Sequence, residues 1–134
     1  MIIAVVDGMG GGLGEEIVSQ IRKTMGNAIE IIALGTNAIA TDRMMRAKAS
    51  RGASGENAIR VSINQADFII GPIGIVLANS MMGEITTSIA EAVLGARGRK
   101  LLIPISQNHI EIMGLEDKSL NELIGKAISI LNNN

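Results

Sequence analysis

The sequence contains no cysteine, tryptophan or tyrosine, one phenylalanine (Phe68) and one histidine (His109). Without cysteine there are no disulfides, no thiolate nucleophile and no cysteine-ligated metal, and a lone histidine leaves no donor set for a structural zinc. No metal site is expected. Without tyrosine no phenolic acid is available, and without tyrosine or tryptophan there is no platform for stacking bases or caging cations. Neither sign of charge is in excess, with 12 Lys+Arg against 13 Asp+Glu, so no broad basic face for nucleic acid is expected. Long hydrophobic runs are also missing. The run Ile2 to Val6 stops at Asp7, too short for a signal peptide, and the stretch Ile69 to Ala78 is interrupted by Gly71, Pro72 and Gly74 and cannot span a bilayer. These absences lead us to expect a cytoplasmic protein with no membrane partner.

What is present is apolar and rich in glycine. At 134 residues the chain has the size of one domain, and residues 1–134 are expected to form a single Rossmann-like unit. Hydrophobic residues make up 47%, which excludes a disordered chain. Glycine occurs 16 times, well above the usual share of roughly 7%, and is clustered at a few turns.

The hydrophobic pattern alternates short buried runs with amphipathic segments. Strands are expected at Ile2 to Val6, Ile29 to Leu34, Asp67 to Gly71 and Leu101 to Ile105, with a weak one at Ile110 to Met113. Helices are expected from Leu13 to Met25, from a cap at Asn37 to Lys48, from Glu56 to Ala66, from Thr86 to Leu94 with Ser88-x-x-Glu91 as a capping box, and after Ser119-x-x-Glu122 at the C-terminus. Ala49 to Gly55 reads as a loop and Gly71 to Glu84 as irregular. This order implies an α/β three-layer fold with a mostly parallel sheet, whose right-handed crossovers gather the strand C-termini on one edge. Three glycine-bearing turns fall on that edge: Gly8 to Gly14, Gly35-Thr36-Asn37, and Gly71-Pro72-Ile73-Gly74. Ligands of open α/β sheets bind there.

The first turn carries the most information. It reads Asp7-Gly8-Met9-Gly10-Gly11-Gly12-Leu13-Gly14, between a buried strand and a helix opening with Glu15 and Glu16. Such a turn lets a phosphate approach the backbone, and the first amides of the helix attract negative charge. Gly8, Met9, Gly10, Gly11, Gly12, Leu13 and Gly14 are therefore the leading cofactor-binding candidates, joined by Gly35, Thr36 and Asn37 and by Gly71, Pro72, Ile73 and Gly74. The competing reading is a tight strand–helix turn with no ligand, but four glycines among Gly8 to Gly12 exceed what a bare turn needs.

The spacing of Gly8, Gly12 and Gly14 fits G-x-x-x-G-x-G and not G-x-G-x-x-G, whose last glycine would fall at Leu13. It resembles the opening of short-chain dehydrogenase/reductases, which implies NAD(P) or another nucleotide as the ligand. The chain departs from that pattern. Asp7, Glu15 and Glu16 bring carboxylates to the turn, no acid ends the second strand at Leu34-Gly35-Thr36-Asn37, and the tyrosine of Tyr-x-x-x-Lys is missing. The segments DGMGGGLG, ALGTNAIAT, GENAI, GPIGIVLANSMMGEIT and GLEDKSL together resemble a family of small bacterial proteins of unknown function, largely from anaerobic Firmicutes. That resemblance implies a compact Rossmann-like protein and supplies no activity or catalytic residue.

Other groups have two readings each. Arg43, Arg46, Lys48 and Arg51 follow the second strand, either as a receptor for a 2′-phosphate or as a solvated helix face. Asn79, Ser80, Glu84, Thr86 and Thr87 either line a pocket or cap the next helix. Ile75, Val76, Leu77, Met81 and Met82 are too apolar for water and either close over a ligand or bury in a second subunit, which suggests a homo-oligomer. His109, in Gln107-Asn108-His109, belongs to no identifiable catalytic set, and Asp7 either serves the turn or assists a metal that bridges phosphates. The expectation is a nucleotide-binding protein whose catalytic residues are unknown. The alternatives are an NAD(P)-linked oxidoreductase and a non-catalytic oligomeric interaction module.

Overall fold

A computed structural model describes residues 1–105 and 109–133. Five strands form one parallel sheet: β1 (Ile2–Asp7), β2 (Glu30–Gly35), β3 (Arg51–Ser54), β4 (Phe68–Pro72) and β5 (Arg99–Ile103), in the order β3-β2-β1-β4-β5. The helices are α1 (Gly12–Met25), α2 (Ala38–Arg46), α3 (Glu56–Ser62), α4 (Thr87–Gly95) and α5 (Leu120–Asn132). Short 3₁₀ turns occupy Ile63–Gln65, Ile73–Val76 and Met81–Gly83. This is the three-layer Rossmann-like α/β architecture that the alternation of apolar runs predicts.

The central strands are buried on both faces because successive side chains feed two separate cores. Ile3, Val5, Ile31, Ala33, Phe68 and Ile70 pack under α1 and α5, with Met44 of α2. Ala4, Val6, Ile32, Leu34 and Ile69 face Ile59 of α3 and Ile89 and Val93 of α4. This double burial is why the strands read as continuous apolar runs and show no alternation. From β1 the chain moves outward to β2 and β3, then crosses back to β4 on the other side of β1. The strand order therefore reverses between β1 and β4, and a crevice opens beyond their C-terminal ends.

Several local expectations are corrected. Arg51–Ser54, expected as a loop, is the edge strand β3, paired with β2 from Ile32↔Arg51 to Gly35↔Ser54. Its Arg-Gly-Ala-Ser sequence carries no β signal, and pairing with β2 holds it extended. The cap of α4 is Thr86, whose Oγ1 accepts the Ile89 amide at 3.1 Å, so Ser88 does not cap. Strand β5 begins at Arg99, two residues earlier than expected, and α3 gives way to a 3₁₀ turn at Ile63. Ile112 and Met113 lie in no strand, and Ile110, Ile112 and Met113 are all exposed, so they offer no core face to pair. Gln107 and Asn108 lie outside the described residues, whereas His109 is exposed in a turn. Asn37 caps α2 through the Ala40 amide at 2.9 Å, and Ser119 caps α5 through the Glu122 amide at 3.2 Å, as their positions predict. Among the described residues no helix is long and apolar enough to cross a membrane.

Candidate functional site

The crevice at the strand reversal has a volume of about 260 Å³ and is lined by Asp7, Gly8 to Leu13, Pro72, Met81 and Ile105. Its floor is built from Asp7, the last residue of β1. The Gly8 amide donates to Asp7 Oδ1 at 2.8 Å and the Gly14 amide to Oδ2 at 2.7 Å, so one carboxylate ties both ends of the turn. The Gly11 amide closes the bend on the Gly8 carbonyl at 2.9 Å, with Met9 (φ 53°) and Gly11 (φ 76°) in the left-handed region. Asp7 is 5% exposed. Burial pushes its carboxyl above the usual aspartate range, and the nearby Glu84 charge adds to that shift; the Gly14 and Gly8 amides and Arg43 pull the other way. Both Asp7 oxygens accept from the backbone, so this residue holds the turn.

The glycines of the turn divide by what their missing side chains avoid. A Cβ on Gly8 would lie 2.6 Å from Thr36 Oγ1 and 2.7 Å from Met81 Sδ. One on Gly14 would lie 2.7 Å from Met44 Sδ and 2.9 Å from Asp7 Cβ, and one on Gly11 would lie 2.6 Å from the Ala40 backbone. Packing requires glycine at these three positions. At Gly10 and Gly12 the nearest atoms to a Cβ are 3.8 and 3.6 Å away, both on the Arg43 guanidinium, and neither residue has a positive φ. The fold itself would accept a side chain there.

Helix α1 opens beside these two glycines with no side-chain cap. The amides of Gly10, Gly12 and Leu13 have no hydrogen-bond partner among the described residues. The charge of Glu15, two residues further on, is paired. Arg43 Nε lies 2.9 Å from its Oε2, and the same guanidinium holds the Gly10 carbonyl at 3.1 Å. The Arg43 hydrogen bond keeps the Glu15 carboxyl below its ordinary range.

Of the second turn, Gly35 is packed against Thr41, and its amide donates to Thr41 Oγ1 at 3.1 Å. Thr36 and Asn37 reach the first turn. The Thr36 amide donates to the Asp7 carbonyl at 3.0 Å, and Asn37 Nδ2 donates to the Met9 carbonyl at 2.9 Å. The third turn is mostly internal. Gly71 lies against the Val6 carbonyl, and the Gly74 carbonyl accepts from Ser80 Oγ at 2.5 Å and from the Leu77 amide at 3.0 Å. Pro72 lines the crevice, whereas Gly71, Ile73 and Gly74 do not.

Three arginines of the basic cluster are paired. Arg43 binds Glu15, Arg46 binds Asp42 at 2.8 Å, and Arg51 binds Glu30 at 2.6 Å, so the cluster is not gathered into one receptor. Of the five apolar residues expected to need a cover, Ile75 is fully buried and Val76, Leu77 and Met81 are partly buried; Met82 alone is freely exposed, at 91%.

Glu84 is the residue whose place the sequence conceals. Its Oε1 accepts from the Met9 amide at 2.9 Å, Thr36 Oγ1 at 2.5 Å and Asn37 Nδ2 at 2.8 Å. Partial burial works against its charge, but the hydrogen bonds from Thr36, Met9 and Asn37 outweigh it and hold the carboxyl below the usual glutamate range. Glu84 is 75 residues from Met9 in the chain, beyond the reach of any local motif. Ile105, which completes the crevice wall with Met81, was equally hidden, whereas Met81 was among the apolar residues expected to close over a ligand or bury in a second subunit.

The family model of a domain of unknown function, DUF3842, matches residues 2–134. No curated protein matches the chain. Among solved structures, a dodecameric FMN-dependent UbiX-like decarboxylase from Escherichia coli O157:H7 is similar in fold, with a TM-score of 0.44 at 16% identity over 97% of this chain and 76% of that one.

Proposed function

The chain belongs to the DUF3842 family, a domain of unknown function, and from that premise we propose that it binds the phosphate or pyrophosphate of a nucleotide at the turn between β1 and α1. One observation carries this reading. Gly10, Gly12 and Leu13 line the crevice and their amides have no partner among the described residues, while a Cβ on either glycine would meet nothing closer than 3.6 Å. Unsatisfied amides at a helix start, aligned with the helix dipole, suit an anion, and absent side chains let it come close. The pairing of Glu15 with Arg43 offsets one of the four carboxylates near the turn that oppose such a ligand, and Asp7, Glu16 and Glu84 remain. Gly8, Met9, Gly11, Gly14, Gly35, Thr36 and Asn37 shape the site in this reading, Pro72 lines its far wall, and Gly71, Ile73 and Gly74 support that wall. The ligand class is NAD(P) or another nucleotide.

The test is calorimetric titration of ADP and NADH into the protein and into Gly12→Val. We expect binding to the native protein and a loss of at least about tenfold in the variant, the equivalent of one charge-assisted hydrogen bond, with the melting temperature by circular dichroism nearly unchanged. Equal binding by the two proteins would remove the turn from the site.

A second reading, self-association, is supported by one surface feature. Ile105, Ile110, Ile112, Met113, Leu115 and Leu120 are each 39–77% exposed along one stretch of chain. Sedimentation at several concentrations distinguishes a homo-oligomer from a monomer.

A further inference from the structure

The second strand lacks the terminal acid that, in dinucleotide-binding folds, accepts hydrogen bonds from a ribose. Leu34-Gly35-Thr36-Asn37 stands there instead. The fold nevertheless delivers a carboxylate to that place from the other side of the sheet. Glu84, which follows β4, lies across the first turn and is held by Thr36 and Asn37 at the end of β2. All three donors go to Oε1, and Oε2 accepts from no described residue. The main chain that presents Glu84 is constrained: Asn79, Met81, Met82 and Gly83 all have φ between 55° and 89°. Non-glycine residues in this region cost energy, and such strain gathers where a side chain must be held in a set position.

We propose that Glu84 is the ribose-recognising residue of this site, its free Oε2 accepting from the vicinal hydroxyls of a nucleotide whose phosphate lies on the Gly10, Gly12 and Leu13 amides. This rests on the nucleotide-binding reading above and adds the sugar specificity. The chemistry is complementary. One short turn presents amide donors for an anion, and Glu84, bonded to Met9 of that turn from just outside the crevice lining, adds an anchored acceptor for hydroxyl groups. A carboxylate there also disfavours a 2′-phosphorylated ribose by charge repulsion, and Arg43, Arg46 and Arg51, each paired with an acid, do not offset it.

The experiment compares ADP with 2′,3′-dideoxy-ADP by calorimetry, with EDTA present, on the native protein and on Glu84→Gln. The substitution keeps an oxygen for Met9, Thr36 and Asn37 and puts an NH₂ where Oε2 stood, turning an acceptor into a donor. In the native protein ADP is expected to bind about tenfold or more tighter than the dideoxy analogue, the size of one hydrogen bond to a charged group. In Glu84→Gln the preference is expected to fall several-fold, because the amide NH₂ donates to a hydroxyl oxygen only without charge assistance, with affinity for the dideoxy analogue retained. A native protein that binds both equally, or a variant that keeps the native preference, overturns the proposal and leaves the phosphate site standing. A variant that binds both analogues more tightly also overturns it, because Glu84 would then be competing with the ligand. If neither nucleotide binds either protein, the phosphate-binding reading fails and the ribose proposal fails with it. Circular dichroism melts of both proteins show whether the variant is folded.

Discussion

Helices α1 and α2 begin side by side on the same edge of the sheet, each after a glycine-bearing turn, and they begin differently. Helix α2 is finished by its own sequence. Asn37 caps it through the Ala40 amide, and Gly35 is closed off by the Thr41 side chain. Helix α1 has Gly11 at its cap position, with no side chain to offer, and the Gly10, Gly12 and Leu13 amides, in the crevice lining, have no partner among the described residues. Asp7 satisfies the Gly8 and Gly14 amides on either side of them. The turn is therefore not loose. It is tied at both ends and open in the middle, which is the arrangement an anion site needs and an ordinary helix start does not.

The comparison breaks most readily at Asp7. Asp7→Ala would leave the buried Gly8 and Gly14 amides without acceptors, and at about 1–3 kcal/mol for each unsatisfied group the protein should lose about 2–6 kcal/mol. Relief of the buried charge moderates this. Urea unfolding followed by far-ultraviolet circular dichroism measures it. A loss under about 1 kcal/mol would mean that the turn holds its shape without Asp7.

Asn37→Ala tests the other helix start with a smaller effect. Loss of an N-cap costs about 1 kcal/mol, and Asn37 also bridges to the Met9 carbonyl and to Glu84. A total of about 1–2 kcal/mol in the same unfolding assay is expected. A cost near zero would show that α2 is no better finished than α1, and the contrast between them would lose its meaning.

How much of this could be read from the chain follows from the range of the interactions. Strands β1, β2 and β4 were legible because burial on both faces writes an unbroken apolar run, and the α2 and α5 caps because Asn37 and Ser119 act within three residues. The glycine turn was legible as a turn, but which of its glycines the fold requires was not. Gly11 and Gly14 are crowded by Ala40 and Met44 of α2, whereas Gly10 and Gly12 are free. Edge strand β3 was missed because partner backbone, not side-chain type, makes it a strand. Glu84 was in view as a polar residue after an apolar loop, yet nothing local placed it on Met9, Thr36 and Asn37. Contacts of that kind are set by the order of strands in the sheet, which no single segment encodes.

The smallest expected effect distinguishes the two carboxylates that meet the turn. Glu84 is held below its ordinary value of 4.5, so its contribution to stability is present above that pH and is lost as the pH falls through the lower folded-state value. Asp7 is shifted above its ordinary 3.8, chiefly by burial, so its contribution has the opposite sign: it favours the folded state at low pH and fades as the pH rises through the raised value. Replacing Glu84 by Gln removes the first of these and lessens the second, because the Glu84 charge is a minor part of the Asp7 shift. Native protein should therefore lose more stability than Glu84→Gln between pH 7 and the acid range, and the two unfolding curves should draw together on acidification. Parallel loss in both proteins would mean that the three hydrogen bonds on Oε1 do not favour the charged form. Glu84 would then be a passive neighbour of the turn, and the difference between α1 and α2 would rest on Asp7 and the glycines alone.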